Sequence, residues 1–197
     1  MIKTTEEQLD RLQQGDILSD VEYIEYVEEK DGEITISKIV FPLVMVLTQD
    51  CDLTWDYDSR TSTKQSNQDK YLFSVIVVPL YNYEHFIQGD HLSELGQKMQ
   101  TVSSKLTKTD NKNLRANETP RYHYLEFNDS VPIVNSVIDF KHYFTVSVDR
   151  LRAHKKDHYI CTVSELFRER VSQRFANYLS RIGLPEMVVA EQSAGQN

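Results

Sequence analysis

Two long runs of β-prone residues, Ile17 to Val27 and Ile34 to Thr48, are separated by Lys30-Asp31-Gly32-Glu33. An Asp-Gly pair between such runs is a strong hairpin signal, because both residues tolerate the positive φ of the tight turn. Val40 to Leu47 is apolar almost throughout, which predicts a central strand buried on both faces. Pro42 interrupts it without an N–H for a ladder, so it should mark a bulge or the strand's entry. Tyr71 to Leu80 predicts a second buried strand, ended by Pro79. Arg121 to Phe127 and Val131 to Val148 supply two or three more.

Helical signals are fewer. Thr4-x-x-Glu7, followed by Leu9, Leu12 and Gly15, predicts a short N-terminal helix opened by a capping box. Phe86, Leu92, Leu95, Met99 and Val102 have roughly helical spacing, broken by Gly89 and Gly96, and predict an inserted helix or two short ones. Thr162-x-x-Glu165 is a second capping box. Behind it Phe167, Val171, Phe175, Tyr178, Leu179 and Ile182 form one apolar stripe, stopped by Gly183 and Pro185. Leu53 to Lys70 and Ser103 to Pro120 are polar and predict surface loops, and Arg152 to His158 reads as a solvated basic turn. The expected fold is α+β, a small, strongly bent, barrel-like antiparallel sheet with a helical insertion and a closing amphipathic helix. A single domain over 1–185 with the insertion at about 83–120, then a flexible tail over 186–197, fits the 197 residues.

Composition narrows the class. A 40% hydrophobic content suffices for a core, and the net charge of −8 argues against a whole surface given to nucleic-acid phosphates. A local basic groove stays open. The longest apolar run is too short for a bilayer, and MIKTTEEQLD lacks the features of a signal peptide. With two cysteines and no CxxC or HExxH spacing, the expectation is a cytoplasmic protein without membrane contact, and no cofactor or metal ligand set is assigned.

The order of several segments resembles the PemK/MazF family of bacterial toxin domains. Gly15-Asp16-Ile17 is similar to that family's opening GDI, and Phe41 to Asp50 to its second strand. Val75 to Leu80 resembles its third strand, and Ser136 to Phe140 with Phe144 to Leu151 its later strands and the turn into the last helix. The resemblance covers about half of the chain. It implies an SH3-like barrel, a toxin–antitoxin or phage-defence setting, and an RNA or protein partner. The family's ribonuclease chemistry uses an Arg before the second strand's Pro and a Thr or Ser after the third strand. Here Phe41 and Leu80-Tyr81-Asn82 stand there, and Phe can neither move a proton nor hold a phosphorane's charge. The expectation is a nucleic-acid- or protein-binding module without that chemistry. The alternative is a divergent endoribonuclease or other nuclease with an Asp/Arg/His site.

Candidate catalytic residues are Asp50, Asp52, Arg121 and His123. Asp50-Cys51-Asp52 follows a buried strand, where loops often carry function. Its plainer meaning is a capped turn with Cys51 packed as a small hydrophobe, and flanking carboxylates disfavour a thiolate. Arg121 and His123 should share one strand face. Convergence on the acids would suit phosphate binding, acid–base work or a divalent cation on Asp50, Asp52 and His123. Asp139 and His142 form a weaker pair of the same kind. Lys105, Lys108, Lys112 and Arg115, with Tyr122 and Tyr124 behind them, could guide a single strand whose bases stack on the rings. Arg168, Arg170, Arg174 and Arg181 give the final helix a cationic side that could meet an acidic protein or a nucleic acid. A homodimer is a further possibility.

Overall fold

The computed structural model describes residues 1–63, 67–102, 108–128 and 130–181, with backbone alone at 108–110. The sheet is antiparallel and strongly curled into a half-barrel, with five α-helices around it. Its strands are β1 (Thr4–Thr5), β2 (Asp16–Lys30), β3 (Glu33–Val46), β4 (Ser74–Asn82), β5 (Tyr122–Leu125), β6 (Ser136–Asp139), β7 (Phe144–Ser147) and β8 (Tyr159–Val163). The spatial order is β1-β8-β2-β3-β4-β6-β5, with β7 also on β4. The helices are α1 (Asp50–Thr61), α2 (Tyr83–Gln88), α3 (Lys108–Arg115), α4 (Val148–His158) and α5 (Glu165–Leu179).

The β2–β3 hairpin forms around Asp31 (φ 54°) and Gly32 (φ 83°), the paired positive dihedrals that an Asp-Gly turn supplies. Its base is core: Ile17, Leu18, Val44, Met45 and Val46 are fully buried. Its outer half, residues 25–36, is exposed on every residue and forms an arm. Pro42 lies within β3, opposite Asp20, whose φ of 55° marks the local break in pairing. β4 runs three residues beyond Pro79, to Asn82.

Five expectations are corrected, the first being the loop over 103–120, whose described part holds α3. The N-terminal capping box does not open a helix: Thr4 and Thr5 form β1 and pair with Val163 and Thr162 of β8. Thr162 does not cap the last helix either, because Ser164 occupies that position. The loop expected over Leu53–Lys70 begins as α1, a polar helix that buries Leu53, Asp56 and Ser59. The basic turn at 152–158 is the body of α4, held by Leu151 and by the buried Lys155. The expected short helices after β4 are α2 and the 3₁₀ turn Ser93–Leu95, each ended by a left-handed glycine, Gly89 and Gly96. Ile182, Gly183, Pro185 and the 186–197 tail lie outside the described residues.

Gly15 and Asp16 explain the GDI segment structurally. A Cβ on Gly15 (φ 86°) would stand 3.1 Å from Cβ of Arg168 and 3.2 Å from the Val163 carbonyl, so only glycine lets α5 close here. Asp16 is buried and accepts from Lys155 Nζ (2.8 Å), the Thr162 hydroxyl (2.6 Å) and the Gln13 N–H (2.8 Å).

Candidate functional site

β3 and β4 are zipped together only where Val44, Met45 and Val46 face Pro79, Val78 and Val77. From Leu80 to Asn82, β4 pairs with β6, while β3 from Glu33 to Leu43 has only β2 beside it. The two strands therefore splay apart. The Leu47 N–H donates to the Ile76 carbonyl at 2.8 Å. Antiparallel backbone groups alternate sides, so Met45, Leu43, Phe41 and Ile39 present theirs in the same direction. Beyond Val44 no strand among the described residues lies there to receive them.

The splay holds a cavity of about 300 Å³ lined by Ile39 to Leu43, by Pro79 to Asn82 and by His85, His91, Leu92, Glu94 and Leu95. A second cavity of about 230 Å³ shares Ile39, Phe41, Tyr81, Leu92 and Leu95 and adds Tyr23, His142 and Tyr143. Neither lining contains Lys or Arg. Mainly apolar walls with a few polar groups are the common composition of a binding cleft.

One wall is a chain of hydrogen-bonding groups. Asp139 is buried and receives Nε and a terminal nitrogen of Arg121, at 2.8 and 2.5 Å, with the Lys141 N–H at 3.0 Å. His142 Nε2 lies 3.7 Å from the same carboxylate, and its Nδ1 lies 3.0 Å from the Tyr81 hydroxyl. Burial, together with the Asp139 charge, raises the Tyr81 pKa, so the phenol stays neutral beside Nδ1. Burial lowers that of His142 despite Asp139. A neutral ring has one donor and one acceptor nitrogen, so the Tyr81 hydroxyl and the Asp139 carboxylate together set its tautomer.

His91 completes the wall. Its ring stacks on Phe86 at 4.4 Å and leans on Tyr81 at 4.7 Å. Burial, reinforced by His142, depresses its pKa to about 4. Both ring nitrogens are buried without a hydrogen-bond partner among the described residues. Leaving such a group unmatched costs about 1–3 kcal/mol.

The residues expected to be catalytic sit in separate surroundings. Asp50 opens α1 and accepts twice from Arg11 (3.0 and 3.2 Å) and once from the Gln14 N–H (3.2 Å), with Arg168 at 3.6 Å. Burial would raise its pKa, but the Arg11 hydrogen bonds and charge hold it below the ordinary value. Asp52 is half-buried one position beyond Cys51, whose exposed thiol contacts Gln49 (3.7 Å) and Asp52 (3.8 Å). Arg121 belongs to Asp139, as above. His123 is buried beside Phe140, ring centroids 6.3 Å apart, and burial with Arg174 and Arg170 lowers its pKa to about 3. Arg121 immediately precedes β5 and its carbonyl accepts from the Phe140 N–H at 3.0 Å, but its guanidinium is taken by Asp139 while His123 is buried beside Phe140.

Of the basic series, Lys112 and Arg115 are exposed on the last turn of α3, and Arg115 lies 5.6 Å over the Tyr124 ring. Tyr122 is half-buried between Phe86 and Arg121, 5.1 Å from each. Lys108 starts α3, its side chain outside the described residues, as is Lys105 entirely. Among the described residues no three His, Cys, Asp or Glu side chains are grouped to hold a metal ion, and no helix is long and apolar enough to cross a membrane.

No protein-family model, no curated protein and no solved structure matches the chain. The splay and His91 were absent from the sequence-based candidates. Pro79 beside a β-strand that bends to a new partner was their one sequence signal.

Proposed function

We propose that this domain is a protein-binding module that receives an extended segment of its partner along the open edge of β3. The observation that carries the reading is the splay: backbone groups of Ile39, Phe41 and Leu43 face an apolar cleft with no strand beside them. Strand addition uses such an edge for affinity and neighbouring pockets for side-chain selection. The same reading takes the domain as a PemK/MazF-like, SH3-like barrel acting in a cytoplasmic defence setting. Among the described residues neither cavity is lined by Lys or Arg, which favours a protein segment over nucleic acid.

The test is fluorescence anisotropy with a labelled peptide of valine–threonine repeats. Ile39→Pro removes an N–H directed at the cleft and leaves the β2 ladder intact, as proline is tolerated on an edge. Binding should weaken about tenfold or more, the equivalent of ~1.4 kcal/mol, with the fold retained. Equal binding by wild type and Ile39→Pro would exclude strand addition.

A divergent nuclease remains the second reading, supported by the Arg121–Asp139–His142–Tyr81 chain, two of whose members line the second cavity. It predicts RNA cleavage by the pure protein that His142→Gln and Tyr81→Phe each abolish. Cleavage insensitive to both substitutions would remove it.

A further inference from the structure

Resting on the strand-addition reading, we infer that the segment received by β3 is basic: an extended peptide alternating apolar and Lys or Arg side chains. The arm that prolongs the open edge is strongly acidic. Between residues 25 and 33 it holds Glu25, Glu28, Glu29, Asp31 and Glu33 against Lys30 alone. All are exposed. Glu22, at the arm's base, is engaged by Lys38 and Arg150, and Glu25 accepts from Ser37. Glu28, Glu29, Asp31 and Glu33 form no ion pair among the described residues. Glu94 adds an acid at the cleft itself.

The register sorts the side chains of the arm. Val27 faces Ile36, and Glu29 faces Ile34, so these four share one side of the hairpin. Ile34, Ile36 and Val27 are 69%, 56% and 61% exposed. Glu28 pairs with Thr35 and Lys30 with Glu33 on the other side. An incoming strand pairs with β3 and thus meets Ile34 and Ile36 on one face, with Val27 and Glu29 of β2 behind them, and Glu33 and Thr35 on the other, with Lys30 and Glu28 behind them. Uncompensated charge also disfavours pairing with a second copy, whose arm carries the same acids. Complementary potential selects the partner and speeds its arrival.

The experiment compares labelled peptides of equal length, built of valine–lysine, valine–threonine or valine–glutamate repeats, on the full chain. The valine–lysine peptide should bind about tenfold tighter than the valine–threonine peptide at low ionic strength, and the advantage should shrink as salt shortens the Debye length. Reversing the exposed charges in a Glu28→Lys, Glu29→Lys, Glu33→Lys variant should make the glutamate peptide the preferred one. Equal binding of the lysine and threonine peptides would overturn the basic partner and leave strand addition standing. No binding by any of the three would overturn both. Undiminished binding of a valine–lysine peptide N-methylated at alternate residues would reduce the effect to electrostatic adhesion and overturn the inference. Concentration-dependent self-association relieved by Ile39→Pro would identify a second copy as the occupant and also overturn it.

Discussion

Two buried polar clusters in this domain are built to different ends. Around Asp16 every strong acceptor has a donor: Lys155, Thr162 and the Gln13 N–H take the carboxylate, and Lys155 also reaches the Arg11 carbonyl at 2.7 Å. Lys155 and Asp16 are both sealed from solvent. The wall beside the cleft is satisfied at Asp139, yet both nitrogens of His91, a residue that lines the cleft, are buried without a partner among the described residues. A closed network fastens β2, α4 and β8 together. The other leaves two buried polar atoms unmatched at the cleft wall.

The largest effect that would separate the two concerns Lys155. Lys155→Met leaves Asp16 in the interior without its cation, and breaking a buried pair costs about 3–5 kcal/mol. Chemical denaturation should show that loss, whereas a loss under 1 kcal/mol would make the Asp16 cluster incidental.

The next effect is acid sensitivity. His123, His91 and His142 all have pKa values lowered by burial, to about 3 and about 4 for the first two. In the unfolded chain each titrates near 6.5. Below that pH the unfolded state binds protons that the folded state refuses, so stability falls with pH until the folded pKa is reached. The limiting slope is about 1.4 kcal/mol per pH unit for each histidine. Asp16 acts in the opposite sense, since burial outweighs Lys155 and raises its pKa; its contribution is lost as pH rises above about 3.8. His123→Phe should flatten the pH dependence of the denaturation midpoint between about pH 6.5 and 4. An unchanged profile would mean that His123 is solvated.

The smallest effect should come from His91. His91→Phe removes two unmatched polar atoms, so stability should stay level or rise by up to ~1 kcal/mol. Peptide affinity should drop. A clear destabilisation would place His91 with Asp16 among the structural groups.

Much of the fold was legible because it rests on local signals. The Asp31-Gly32 turn needs the positive φ that those residues supply, and Val44 to Val46 is buried on both faces as its unbroken apolar run demands. The stripe through Val171 and Phe175 marks α5. Misread segments are those where tertiary partners outweigh local preference. Thr5 and Thr162, both placed in or beside expected caps, instead face each other across β1 and β8. α1 buries Asp56 through Arg60 and Arg152 and offers only Leu53 as an apolar anchor, so its periodicity is nearly invisible. Arg121, Asp139 and His142 were among the sequence-based candidates, but Tyr81 and His91 join them only because β4 bends from β3 toward β6.

Residue-resolved amide hydrogen exchange measures that bend directly. In the free protein, the amides of Ile39, Phe41 and Leu43 should exchange much faster than those of Met45 and Leu47, and a bound valine–lysine peptide should slow those three selectively. Protection of all five amides to the same degree in the free protein, or no change on peptide binding, would contradict an open β3 edge as the working surface of this domain.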